Sequence, residues 1–175
     1  SIDYLYDKNY YIRFPTQWKK IDENIIRIYD NFPNTWKIKH YTVFQNYNWD
    51  AIPDIINWVF QHRSYWNEQE QQRLYIWSPI ILDSPDYLDV RTVPLAVRQE
   101  AADALENFTP DHQVPNIWWE HGAQQAIKIL RDDTLNEDSR VERLQKFREY
   151  SDTLDRSRGT KWYETFQNIA LKVLT

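Results

Sequence analysis

Two β-rich runs bracket one helical pattern, and this alternation restricts the fold more than any other feature of the chain. Trp36–Gln45 begins by alternating and ends continuously apolar, the pattern of a strand whose far end is buried on both faces. Leu74–Leu82 is the second run, and Pro79 within it marks an edge or a bend, because proline brings no N–H to a ladder. Between them Ile52, Ile55, Ile56, Val59 and Phe60 recur at helical spacing behind Asp50, a candidate N-cap, with Pro53 tolerated in the first turn. Strand, helix, strand implies parallel pairing through a right-handed crossover. Two parallel strands cannot cover themselves, so a further strand or an exposed edge is expected.

The same rhythm extends backwards. Trp18, Ile21, Ile25 and Ile28, widened by Ile26 and Tyr29, form a helical stripe that stops at Phe32-Pro33, since the residue before a proline is pushed out of the α region. Ahead of that helix, Ser1-Ile2-Asp3 reads as the end of a strand, with Tyr11-Ile12-Arg13 following at the mouth of a βα unit. From Pro94 onward the strand pattern disappears. Val97, Ala101, Ala104, Leu105 and Phe108 form one stripe; Ile117, Trp118, Ile127 and Leu130 mark a helix around Gly122; Val141, Leu144, Phe147, Arg148 and Leu154 mark a third. Ser157-Arg158-Gly159 is a stop signal with Gly placed for a left-handed cap, and Trp162, Phe166, Ile169 and Val173 form a last amphipathic segment. The expectation is an α/β fold: a β/α part over residues 1–93 and a helical region over 94–175.

Composition removes several functions. The chain has no Cys, so these residues make no disulfide, thiolate nucleophile or Cys-ligated cluster, and its two glycines leave no Gly-rich phosphate loop. A net charge of −5 offers no general attraction to a phosphate backbone, so no nucleic-acid partner is expected. No run of about eighteen apolar residues is present, so no membrane partner is expected and a cytoplasmic location follows. The absence of Met at position 1 reads as a processed or truncated start. Nine Trp, twelve Tyr and seven Phe point to a core built on large rings, or to an aromatic surface for a protein partner.

Three groups of side chains carry possible chemistry. Ser1 and Asp3 at a strand end suit ribose hydroxyls and Arg13 suits a carboxylate; alternatively, the first two cap a loop and Arg13 pairs with an acid. Asn46 and Asn48 follow the first full strand, where an α/β sheet meets its substrate. Asp83, Asp86 and Asp89 follow the second and suit acid/base or cation roles, or a solvated turn. His40 lacks companions at metal-ligand spacing. Glu120 and His121 are adjacent, so they point about 100° apart on a helix and do not share a face as zinc ligands would. No metal ligand set is assigned.

Ser1-Ile2-Asp3, Tyr11-Ile12-Arg13, the Trp18 to Tyr29 helix, the run Thr42-Val43-Phe44-Gln45-Asn46-Tyr47-Asn48, Tyr87-Leu88-Asp89-Val90-Arg91 before Val93-Pro94, and Leu154-Asp155-Arg156-Ser157-Arg158-Gly159-Thr160 appear in this order. In that order they resemble the later half of radical SAM enzymes, in particular the bacterial and phage group that carries a twitch domain. The resemblance spans most of the chain through short motifs. It implies the C-terminal part of a partial (β/α)6 TIM-like barrel, from the fourth strand onward, with two or three parallel strands, crossover helices and a helical cover. It also implies that Ser1 and Arg13 contact S-adenosylmethionine, that Asp3 supports the ribose side, and that Leu74 or Ile76 touches the adenine. Asn46 and Asn48 would lie on the substrate side.

The full enzyme would cleave S-adenosylmethionine reductively at a 4Fe–4S cluster and abstract hydrogen from a substrate, possibly a peptide. Here the sequence departs from the family twice. The usual Gly after Ser-x-Asp is Tyr4, and the CxxxCxxC loop that holds the cluster is absent. The expected partner is therefore the missing N-terminal half of the same protein, and the fragment by itself is expected to be inactive. The other class of function is a non-enzymatic, aromatic-rich helical module that binds another protein.

Overall fold

A computed structural model describes residues 1–31, 38–61, 75–111 and 119–173. The fold is α/β and mostly helical, with one small parallel sheet. Among the described residues the order is α1 (Tyr6–Ile12), α2 (Trp18–Asn31), β1 (Ile38–Phe44), α3 (Ile52–Gln61), β2 (Tyr75–Ile81), two 3₁₀ turns (Asp86–Leu88 and Val90–Thr92), α4 (Leu95–Glu106), α5 (Glu120–Leu130), α6 (Glu137–Arg158), α7 (Trp162–Thr165) and α8 (Gln167–Lys172). β1 and β2 pair in parallel, with Ile38 opposite Tyr75 and Phe44 opposite Ile81, as the βαβ rhythm requires.

The start of the chain adds a short parallel contact. The N–H of Ile2 donates to the Tyr41 carbonyl (2.9 Å). In a regular parallel bridge the next bond would run from the Val43 N–H to the Ile2 carbonyl. Instead the Asp3 carboxylate takes the Val43 N–H (2.8 Å) and the Thr42 hydroxyl takes the Ile2 carbonyl (2.8 Å). Pairing ends there, and the chain turns into α1. That helix is absent from the sequence reading because seven residues show too little periodicity. Tyr4 occupies the position where the resemblance expects Gly, but the residue with a left-handed backbone is Tyr6 (φ 54°).

The two faces of the sheet differ. His40, Thr42, Phe44, Trp77 and Pro79 are buried, with Trp58 of α3 edge-on to His40 at 6.4 Å between ring centres. The other face carries Tyr41 at 37% and Ile80 at 46% exposure, with Val43 and Ser78 half-buried. β1 thus alternates from Lys39 to Val43 and becomes buried on both faces at its far end, where Phe44 and Gln45 are both buried.

In α3 the expected inner face holds: Ile52, Ile55, Ile56, Val59 and Phe60 are all buried. Asp50 does not cap this helix. Its carboxylate accepts from Tyr4 Oη (3.1 Å) and Asn168 Nδ2 (2.8 Å) instead. In α4 the buried residues are Arg98, Ala102 and Leu105, a stripe turned by one position from the apolar one. In α6, Phe147 is buried but Val141 is 57% exposed. Gly159 ends α6 in the left-handed conformation (φ 67°, ψ 30°), with its N–H on the Asp155 carbonyl at 2.8 Å, as the sequence indicates. Trp162, Phe166, Ile169 and Val173 are buried, and their rings join the first part of the chain: Tyr47 lies 4.8 Å from Phe147 and 5.0 Å from Phe166. Ile117, Trp118 and the connector from Asn67 to Gln72 lie outside the described residues. No helix among the described residues is long and apolar enough to cross a membrane.

Candidate functional site

A cleft of about 390 Å³ opens beside the C-terminal end of β1, between α1 and α6. Asp3, Arg13, Val43 and Gln45 line its strand side, and Tyr150 and Leu154 its α6 side. A larger cleft of about 970 Å³ lies at the other end of α1, around Tyr6, Asp54 and Lys161. The smaller one is the candidate site, because it gathers strand-end residues, where parallel α/β sheets place their ligands.

Asp3 is buried, and both carboxylate oxygens are engaged: Oδ1 by the Val43 N–H and Oδ2 by Arg13 Nε (2.7 Å). Asn9 Oδ1 receives the Asp3 N–H (3.3 Å). Arg13 follows α1 directly, and its side chain remains 36% exposed. With Nε fixed on Asp3, the two terminal nitrogens have no protein partner among the described residues and form an open end-on fork.

Gln45 is the residue that sequence reasoning passed over as the last position of a strand. It is 5% exposed and lines the cleft, yet its side-chain amide has no hydrogen-bond partner among the described residues. The sequence signal is its place at a strand's C-terminal end, and its side-chain polar atoms are not among the fully buried, unpartnered ones, so they keep access to the cleft.

Asn46 and Asn48 do not line the cleft. Asn48 is fully buried: Nδ2 donates to the carbonyls of Asp3 (2.7 Å) and Val43 (2.9 Å), and Oδ1 accepts the Gln45 N–H (2.8 Å). Asn46 Nδ2 donates to the Tyr87 carbonyl (2.7 Å) and to Thr92 Oγ1 (3.3 Å). Both pin the loop after β1. Ser1 is exposed and lies outside the cleft lining. Ile76 pairs with Lys39, near the N-terminal ends of the strands, five residues before Ile81 and roughly 16 Å from the cleft end. That register puts Ile76, one of the two residues expected to touch the adenine, near the N-terminal end of β2; Leu74, the other, lies outside the described residues. Asp89 is buried and held by Arg91 (2.5 Å), and Asp86 pairs with Arg143 (3.3 Å), so these two acids brace the turns after β2.

Tyr11 and Tyr47 form a rigid wall. Tyr47 Oη donates to Ser151 Oγ (2.6 Å), whose own proton goes to the Phe147 carbonyl (2.7 Å). Burial pushes both phenols well above the ordinary tyrosine range, with the Tyr47 and Asp155 charges adding to the effect at Tyr11. Both stay neutral. Arg158 Nη1 donates to the Tyr11 carbonyl (2.9 Å), and its guanidinium lies 4.8 Å from the Phe14 ring centre, tying α6 to α1 across the cleft.

The site therefore offers a cationic fork, one two-faced amide and neutral rings, and Asp3 has no free oxygen for proton transfer. This is equipment for binding. Replacing Asp3 tests its anchoring role: Asp3→Asn keeps an acceptor for the Val43 N–H and costs about 1 kcal/mol, whereas Asp3→Ala leaves both Val43 and Arg13 unanswered and costs about 2–3 kcal/mol. Equal losses in urea unfolding would remove the Val43 bond from the argument. Comparison with known protein families, with curated proteins and with solved structures returns no match.

Proposed function

We propose that this chain forms the cofactor-holding side of a radical SAM barrel and that S-adenosylmethionine lies in the cleft beside β1. The observation that carries this reading is the second face of the sheet, where Tyr41 and Ile80 stay exposed beside Lys39 and the half-buried Val43 and Ser78, next to a strand-end cleft. Parallel sheets are normally covered on both faces. Within a barrel that face points inward and is covered by the remaining strands, and the cleft falls at the catalytic end.

The residues present fit part of the cofactor. The cleft volume lies at the lower end of the range of small-molecule pockets. Arg13 holds the carboxylate through its open fork, and Asp3 fixes Arg13 in place rather than touching the ribose. Tyr11 and Tyr47, buried and neutral, exclude water along one wall. With no Cys in the chain, a 4Fe–4S cluster would have to be held by residues other than these 175. When bound, S-adenosylmethionine supplies the radical for hydrogen abstraction, with a peptide as the proposed substrate class.

The test is a titration of the isotopically labelled chain with S-adenosylmethionine, followed by NMR. One wall of a site is expected to bind with Kd of about 1 mM, shifting the amides of Val43 and Gln45 and the Nε signal of Arg13. No shift at these three positions, or shifts confined to the larger cleft around Tyr6 and Asp54, would overturn the reading.

A further inference from the structure

A third cleft, of about 320 Å³, is bounded by the loop after β1, the start of α3, α4 and α8. Its volume is at the small end of ligand pockets. Trp49, Ile52, Ala101 and Leu105 give it apolar walls, and Asn168 and Lys172 of α8 give it a polar edge. The charged groups are already answered within the protein. Asp50 accepts from Tyr4 Oη (3.1 Å) and Asn168 Nδ2 (2.8 Å), and Lys172 Nζ lies 2.6 Å from the Glu100 carboxylate. One polar group is not answered. Trp49 is 4% exposed, and its indole Nε1–H has no hydrogen-bond partner among the described residues. A buried donor left without an acceptor is costly, and an acceptor brought in by a ligand removes that cost.

The chemistry of that acceptor follows from its surroundings. The first turn of α3 borders the cleft and carries the positive pole of the helix, which favours the oxygen end of a dipole. A full negative charge is disfavoured, because the carboxylates of Asp50 and Glu100 line the same cleft and Lys172 is already held by one of them. A cation gains nothing from an N–H donor. We infer that this cleft binds a small neutral carbonyl compound, such as a ketone, ester or lactone, whose oxygen accepts from Trp49 Nε1–H and whose apolar body lies against Ala101 and Leu105. The Lys172–Glu100 pair joins α8 to α4 across the cleft; both side chains are exposed, and a pair so exposed is worth little, so it yields to an entering ligand. This site is independent of the cleft beside β1, since S-adenosylmethionine is charged and is not a ligand here.

The test titrates the isotopically labelled full chain with three probes: cyclohexanone, methylenecyclohexane, which has the same shape but no acceptor, and cyclohexanecarboxylate. NMR of the indole N–H signals is the readout, with the Trp49 signal identified as the one lost in Trp49→Phe. Cyclohexanone is expected to move that signal and to bind about fivefold more tightly than either of the other probes. Trp49→Phe keeps an aromatic wall without the donor and should bind cyclohexanone and methylenecyclohexane alike. Ala104→Leu places a good helix former at an exposed α4 position that lines the cleft, leaves the indole intact, and should weaken cyclohexanone binding about fivefold by filling the space, which gives a result even if Trp49→Phe does not fold. Equal binding of cyclohexanone and methylenecyclohexane to the native chain overturns the site, as does a preference that survives in Trp49→Phe or unchanged cyclohexanone binding in Ala104→Leu. Tighter binding of the carboxylate than of the ketone overturns the choice of a neutral ligand.

Discussion

Gly122→Ala is expected to lower stability by about 2 kcal/mol, against the direction that helix propensity alone would give. Alanine in a helix is favoured over glycine by up to about 1 kcal/mol, and Gly122 lies in the first turn of α5. Packing reverses the sign. A β-carbon on Gly122 would stand 2.8 Å from both the Trp77 carbonyl oxygen and Trp77 Cε3, and 2.9 Å from Cζ3. None of these atoms has freedom to withdraw. The carbonyl belongs to β2, and the indole is pinned by Nε1–H donating to Thr42 Oγ1 at 2.9 Å with 1% of the residue exposed. Forcing α5 away from the sheet costs about 3 kcal/mol, at the upper end of ordinary overpacking.

Gly159→Ala is the control, because no atom lies within 4 Å of its would-be β-carbon, and the loss of about 1 kcal/mol comes only from the positive φ. Gly122→Ala combined with Trp77→Leu should recover part of its loss in urea unfolding, whereas Gly159→Ala with Trp77→Leu should be additive. A neutral or stabilising Gly122→Ala would mean that α5 does not pack this closely on β2.

Some of this architecture is legible in the sequence and some is hidden by distance along the chain. The inner face of α3 and the Gly159 cap are local matters of periodicity and backbone conformation, and both follow from neighbouring residues. The buried apolar run from Trp162 to Val173 is legible for the same reason. The polar residues are different. Asn48 reads as a substrate-facing group until the Asp3 carbonyl, forty-five positions away, takes its amide. Asp50 reads as a helix cap until Asn168 and Tyr4 claim its carboxylate. At the candidate site, Asp3 and Arg13 stand out in the sequence by their types and spacing, and the fold pairs them with each other at the cleft. Gln45 does not, because what marks it is its place in the cleft lining, a property that only the assembled fold has. In α4 the apolar stripe of Val97, Ala101 and Leu105 does pack on the core, but the most buried line runs one position on through Arg98 and Ala102, because an arginine stands where hydrophobicity counting expects none.

That arginine carries the largest expected effect in the molecule. Arg98 is fully buried and joins the corner before α4 to the C-terminal end of α5: Nε donates to the Val93 carbonyl (2.8 Å), and Nη1 to the carbonyls of Leu130 (2.8 Å), Asp132 (2.6 Å) and, more weakly, Ile129 (3.3 Å). The last carbonyls of a helix have no partner within it and carry its negative pole, so a buried cation there answers both the hydrogen-bond and the charge requirement. Burial, helped by the nearby Arg140, pushes the Arg98 pKa down, while Asp132, Asp133 and Asp89 oppose that. The guanidinium nevertheless stays charged, because arginine does not lose its proton in proteins.

Arg98→Leu fills the space but strips these carbonyls of their donor in a site closed to water, and is expected to cost about 3–5 kcal/mol. Arg98→Lys keeps the charge but cannot reach Val93 and the α5 end together with one ammonium, and is expected to cost about 2 kcal/mol. The order of the two variants in urea unfolding is the decisive readout. If Arg98→Leu proved as stable as Arg98→Lys, the hydrophobic gain would match the lost bonds, and α5 would be held by its contact with β2 alone. If both fell by less than about 1 kcal/mol, the carbonyls at the end of α5 would have to be reached by solvent.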